Sequence, residues 1–282
     1  MTRKVNKISA TLIFARNIVI NLAHKIIFRR FRNKEQVISD YDQGEWLDTL
    51  KERRWLKYRT LQEYVFGNED SEIIALVEGD LLRISSREYL KYRTSKLEKI
   101  LAKYSESSQK LIEIGCGAGR NLFALAQTNR WLHLEGVELS PNGREVIKQV
   151  SIHFNKSNIR ATYIDLLDLN TEGYALLRGE VVFSFYCLEQ LPADTRQVML
   201  NLCASGVRRV IHIEPTPELF NWTSLKDLAT ITYIWRQDYQ RTIIQTAREL
   251  EREGLIRLIA INRANFAPTA QNDPTLLVWE PT

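Results

Sequence analysis

Three acidic residues close apolar runs in this chain: Glu113, Glu138 and Asp165. Glu113 opens the stretch Glu113-Ile114-Gly115-Cys116-Gly117-Ala118-Gly119-Arg120-Asn121. Glycine at 115, 117 and 119 lets the backbone turn sharply and lets a ligand approach the main chain. The amides of a helix starting just after such a turn favour electronegative groups. Glu138 follows the last glycine by 19 residues, close to the distance at which an acid reads ribose hydroxyls in nucleotide-binding α/β folds. A second set of side chains can move protons. Glu214 ends another apolar run, and strand alternation puts His212 on its face. Glu189 and Asp238 are further acids in aromatic surroundings. A carboxylate or an imidazole can take the proton of an alcohol. His212 lies mid-strand, so a hydrogen-bonded core histidine is its alternative reading. Cys187 reads as a packing residue, because no neighbouring His or Lys stands by to lower its pKa.

These residues need a scaffold that brings strand ends together. Runs rich in Val, Ile, Leu and Phe fall at about 110–115, 133–138, 160–165, 180–186 and 208–214. Helical patterns lie between them at Asn121–Gln127, Gly143–His153 and Ala193–Ala204. Alternating β and α elements predict a parallel sheet covered on both faces. Ser140-Pro141 opens the second of these helices as a cap followed by a first-turn proline. Residues 217–253 form a long insertion with Phe220, Trp222, Tyr233, Trp235 and Tyr239, then a helix from about Thr242 to Glu253. Its aromatics suit a sugar or aromatic acceptor, or else the ordinary packing of a covering helix. Leu255–Asn262 and Thr275–Glu280 flank the turn-rich Ala267–Pro274 and read as a terminal hairpin.

The pattern E-x-G-x-G-x-G resembles motif I of class I S-adenosylmethionine (SAM)-dependent methyltransferases. It departs from the dinucleotide fingerprint G-x-G-x-x-G, whose third glycine comes one residue later beside a pyrophosphate. The run Phe183-Ser184-Phe185-Tyr186-Cys187-Leu188-Glu189-Gln190-Leu191-Pro192 resembles motif IV of the same family. The resemblance covers about residues 88–282. It implies an α/β fold: a doubly wound, mostly parallel seven-stranded sheet with a C-terminal antiparallel hairpin, here preceded by an N-terminal helical extension. It implies SAM as cofactor, held by Glu113, Gly115, Cys116, Gly117, Gly119, Asn121, Glu138 and Leu139. In the resemblance Asp165 accepts from the adenine amino group and Leu166 stacks on the ring; Asp168 competes for that role, and Asp165 can also be a turn cap. Phe185 walls the methionine chain, and Arg93 or Tyr92, on a preceding helix, reaches the methionine carboxylate or belongs to a solvated face. Tyr186 and Gln190, with Trp222 and Tyr239 from the insertion, would hold the acceptor. Glu214, Glu189, His212 and Asp238, in that order, are the candidate bases.

Composition bounds the rest. At 282 residues, 44% apolar and 26% charged, the chain suits a globular α/β domain with an appendage. Three cysteines without a C-x-x-C pair favour a reducing compartment, so the expected location is cytoplasmic. Four scattered histidines give no metal-site spacing. The net charge of +5 is uneven: residues 1–34 carry nine Lys/Arg and no acid, which leaves 30 basic against 34 acidic residues elsewhere. A mildly acidic body is not a nucleic-acid face. The chain divides into a basic apolar helical arm (1–34), a charged, aromatic region expected to be helical (35–106) and the SAM-binding domain (107–282). The arm suits packing on its own core or on a second subunit in a homo-oligomer, peripheral contact at the inner face of a membrane, or a transit segment. The expected activity is methyl transfer to a hydroxyl of a small-molecule or glycan acceptor. The alternatives are an N-methyltransferase of an amine or peptide, or a non-catalytic SAM-binding scaffold.

Overall fold

Runs of Val, Ile, Leu and Phe become strands here because both of their faces are covered. In the computed structural model, residues 2–28, 32–68, 70–106, 108–191 and 195–282 are described. Arg29, Arg30, the domain boundary at Ser107, and Pro192 and Ala193, which end motif IV and begin a helix in the sequence reading, lie outside them.

The chain starts with β1 (Arg3–Lys4), α1 (Lys7–Ile27) and α2 (Lys34–Val37). A π-helical stretch Ile38–Trp46 leads into α3 (Leu47–Lys51), and α4 (Leu61–Phe66) follows. Then come β2 (Glu72–Val77), β3 (Asp80–Ser85) and α5 (Ser86–Ser105). The β2–β3 hairpin corrects the expectation that 35–106 is helical throughout. Its signal is in the sequence: two β-rich runs flank Glu78-Gly79, and both turn residues take positive φ (47° and 85°) as a two-residue hairpin loop needs. The hairpin joins β1 and a later short strand in an antiparallel sheet. Ser85 caps α5 as its position suggests, accepting from the Glu88 amide at 3.2 Å.

The larger sheet is built from β4 (Lys110–Ile114), α6 (Arg120–Leu125), β5 (His133–Glu138), α7 (Pro141–His153), β6 (Ile159–Tyr163), β7 (Val181–Phe185), α8 (Thr195–Ala204) and β8 (Arg209–Glu214). After it come α9 (Leu225–Gln237), α10 (Ile243–Arg252), β9 (Ile256–Arg263), β10 (Phe266–Ala267), which pairs with β2, and β11 (Thr275–Pro281). The seven strands run in the order β6-β5-β4-β7-β8-β11-β9. The first five are mutually parallel, and β11 inserts antiparallel between β8 and β9. This is the expected doubly wound sheet with its terminal hairpin. Alternate residues of β4 enter different cores, Leu111 one and Ile112 and Ile114 the other, so the sheet is buried on both faces. Because five strands are parallel, Glu113, Glu138, Asp165, Phe185 and Glu214 all gather at one edge.

Trp279, fully buried in β11, fills the second core. Trp279→Ala should cost about 3–5 kcal/mol, read as a lower denaturant midpoint at an unchanged m value.

Candidate active site

The glycine turn is shaped by what stands against it. Gly115 (φ 62°) cannot carry a side chain, since a Cβ would lie 2.1 Å from the Cys187 sulfur. At Gly117 (φ 54°) a Cβ would come within 2.9 Å of the Trp46 ring, and at Gly119 (φ 74°) within 2.8 Å of Ile147. Glu138 fixes the turn from the next strand. One of its oxygens accepts from the Gly117 amide and the other from the Ser140 amide, each at 2.8 Å. Burial pushes the Glu138 carboxyl above its usual range, and the amides pull it back. Ser140 caps α7 by accepting from the Gly143 amide at 2.8 Å.

A cavity of about 440 Å³ opens over this turn. Glu113, Gly115, Cys116, Gly117, Asn121, Glu138, Leu139, Asp165, Leu166, Phe185, Tyr186 and Gln190 line it, so most of the residues singled out in the sequence meet in one place. Glu113 is 1% exposed. One of its oxygens accepts from the Asn121 amide nitrogen at 2.6 Å, while Oε2 has no partner among the described residues. Burial pushes this carboxyl up to about 8. Asn121 in turn accepts from Arg93, whose guanidinium sits 5.0 Å from the Phe185 ring centre. Arg93 thus backs the cavity wall, while Tyr92 turns away to donate to Glu78 at 3.0 Å. The thiols of Cys116 and Cys187 are pushed well up by burial and stay neutral. SAM fits this surface: its ammonium group matches the unpartnered Glu113 oxygen, and the side-chain-free turn admits a close approach.

The cover comes from residues that sequence reasoning did not single out. Lys34 pairs with Asp165. Asp42 accepts from the Ser140 hydroxyl at 2.5 Å and from the Asn142 amide at 3.0 Å. Arg32 donates to Gln190 at 2.5 Å and to Asp40 at 2.7 Å. Tyr41 and Trp46 stack with ring centres 6.0 Å apart and line the cavity. Residues five apart share a face in a π-helix but not in an α-helix, so an α-helical reading separates this pair. The aromatic richness of 35–106 was the available signal.

Three of the four candidate bases are fully buried and stand behind the lining residues. Glu214 accepts from the Ser184 hydroxyl (2.6 Å), the Cys187 amide (3.1 Å) and the Glu189 amide (3.3 Å). Burial raises its carboxyl to about 7. His212 meets the Ser184 hydroxyl at 2.8 Å, and burial lowers its imidazole to about 3, so it is neutral, as the core-histidine reading had it. Glu189 accepts from Gln190 at 2.8 Å and stands within hydrogen-bonding reach of the Tyr239 hydroxyl. Burial first, then the neighbouring Glu214, hold its carboxyl well above the usual range. Asp238 lies at the end of α9, accepting from the Arg32 amide at 3.0 Å and pairing with Lys25 at 3.6 Å. Of the aromatics assigned to the acceptor, Tyr186 lines the cavity and donates to the Asn272 carbonyl at 2.6 Å. Tyr239 is buried beside Arg32, at 6.0 Å, outside the lining. Trp222 is not in the lining either: it is 53% exposed and packs on Trp235.

The sequence matches the family described as Methyltransferase domain over residues 87–253. No curated protein matches it. Among solved structures it is similar to the 4+2 cyclase SpnF, at 10% identity and a TM-score of 0.53, over 78% of this chain and 92% of that one. It is similar to the pyocyanin biosynthetic protein PhzM at 13% identity and a TM-score of 0.50, over 70% and 58% of the two chains. A third is the magnesium protoporphyrin IX methyltransferase ChlM of Synechocystis PCC 6803 with bound SAH, at 16% identity and a TM-score of 0.48, over 70% and 85%. At these identities the likeness concerns the fold.

Two outcomes test the site. Gly117→Val should weaken S-adenosylhomocysteine binding by about five- to thirtyfold in calorimetry, because a side chain resists the left-handed backbone the turn needs. Glu113, raised from 4.5 to about 8, binds its proton more tightly folded than unfolded. The ligand-free protein therefore loses stability as pH rises through that window. A cationic ligand that needs the ionised form should bind more tightly as pH rises toward 8, by at most about tenfold per unit. Glu113→Gln should flatten that slope.

Proposed function

As a member of the methyltransferase-domain family, matched over more than half its length, the chain is a SAM-dependent methyltransferase, and we propose that it moves the methyl group to a hydroxyl of a small-molecule or glycan acceptor. The cofactor supplies a methyl group already activated on a sulfonium. The protein's part is to position the acceptor and exclude water. Glu113 and, through Asn121, Arg93 suit the amino-acid end of the cofactor. Glu138 suits the ribose, and Asp165 with Leu166 the adenine. Phe185, Tyr186 and Gln190 line the end of the cavity where motif IV would hold an acceptor.

A hydroxyl acceptor also gives up a proton, and the observation that carries this reading is Glu189. Its carboxyl is buried directly behind the cavity wall and bonded to Gln190, which lines the cavity. Glu214 is better read as a positioning residue, since its oxygens hold Ser184 and the amides of residues 187 and 189. His212 faces Ser184 as a neutral ring, and Asp238 anchors the chain around Arg32. Free thiols at Cys116, Cys187 and Cys203 support a cytoplasmic setting.

Incubation with methyl-labelled SAM and panels of sugars, phenols and amines tests the reading. Label should appear on hydroxyls, with S-adenosylhomocysteine released. Glu189→Gln should lower kcat by about 10²–10⁴ at unchanged S-adenosylhomocysteine affinity. Because burial holds the Glu189 carboxyl above its usual range, wild-type turnover should climb as pH rises and the carboxyl ionises. Label confined to amines, or a Glu189→Gln variant at wild-type rate, would sink the hydroxyl mechanism. Binding without turnover on every panel would leave the scaffold reading in its place.

A further inference from the structure

α1 is apolar on two faces. Phe14, Ile18 and Asn21 are buried on one, which packs on α9. Ile8, Leu12, Val19, Leu22 and Ile26 repeat at helical spacing on the other. Among the described residues that second face has no cover: Ile8 is 76% exposed, Leu12 65%, Val19 66% and Ile26 80%. At 1.5 Å per residue the stripe runs along a helix about 31 Å long. Ile27 and Phe28 at the helix end are exposed as well. Soluble proteins seldom leave a contiguous apolar surface of this kind open.

We propose that this face rests on an anionic phospholipid bilayer, with α1 lying parallel to the membrane. Charge decides the occupant. Residues 1–34 contain no acid, Arg16 flanks the stripe, and Lys7 opens the helix. Arg3, Lys4 and Lys25 pair with Glu72, Asp80 and Asp238, and the side chains of Arg3 and Lys4 remain 67% exposed. A second copy seated on the same face would set one basic, acid-free helix against another, whereas anionic headgroups complement it. α1 is long and apolar enough to cross a membrane, but its attachments hold it flat. Asn21, buried, donates to Gln271 at 3.0 Å and to Thr232 at 3.3 Å, and accepts from Arg236 at 3.3 Å. β1 pairs with β3 just before the helix, and Lys25 holds Asp238 near its end. Crossing would break these contacts; lying flat keeps all of them. The inference rests on surface chemistry alone and is independent of which acceptor is methylated.

Sedimentation of the full-length chain with vesicles tests it. The chain should pellet with phosphatidylcholine vesicles containing a quarter phosphatidylglycerol, and at least about tenfold less with pure phosphatidylcholine. V19E/I26E should cut the pelleted fraction at least about tenfold, with melting temperature and S-adenosylhomocysteine affinity unchanged. Three results would overturn the proposal: no pelleting with the anionic vesicles, equal pelleting of wild type and V19E/I26E, or equal pelleting with neutral and anionic lipid. A wild-type dimer in light scattering that V19E/I26E reduces to a monomer, without vesicle binding, would assign the face to a second copy instead.

Discussion

Glu138 ties two loops together by accepting one backbone amide from each, Gly117 after β4 and Ser140 after β5. Charge-assisted hydrogen bonds of this kind contribute about 1.5–3 kcal/mol each. Taking a carboxylate out of water costs several kcal/mol. The two terms are of similar size, and desolvation, which raises the carboxyl, keeps the lead. The glycine turn is held by this balance. With the turn fixed, a floor forms in which the Glu113 oxygen stays unpartnered at a cost, and a cationic ligand can relieve that cost.

The cover over the turn is held differently. No residue of α2, the π-helical stretch or α3 is fully buried. Their grip is polar, through Lys34 to Asp165, Asp42 to Ser140 and Asn142, and Arg32 to Gln190, with Trp46 laid against Gly117. Links of this charge-assisted type contribute about 1.5–3 kcal/mol each, less in sum than a buried apolar core. Segments with few buried apolar contacts open at lower free energy than the core beneath them. The cover therefore meets each of the sheet-edge loops that the motifs occupy while staying weaker than the sheet itself.

The sheet was legible because its signals are local. Apolar runs, a Ser-Pro cap and a glycine turn each act within a few residues, and parallel strands then bring their carboxyl ends to one edge whatever lies between. The β2–β3 hairpin was equally local, and its Glu78-Gly79 turn was passed over because the charged, aromatic surroundings suggested helices. Glu214 depends on pairing of longer range. Its position at a strand end marks a possible base, but its oxygens are spent on residues 184, 187 and 189, and pairing across the sheet is invisible in a one-dimensional pattern.

By itself the sequence determined the alternation of strands and helices from about residue 107 onward, the glycine turn and the acids that line the cavity, because each follows from residue type and spacing along a short length of chain. Only the tertiary structure decided what closes the cavity and which acids remain free. Trp46 reaches Gly117, Asp42 reaches Ser140 and Arg32 reaches Gln190 across 71, 98 and 158 residues of chain. Separations of that size carry no periodicity to read. They are settled by which surfaces remain uncovered once the sheet has formed, and the same rule left one face of α1 open to solvent.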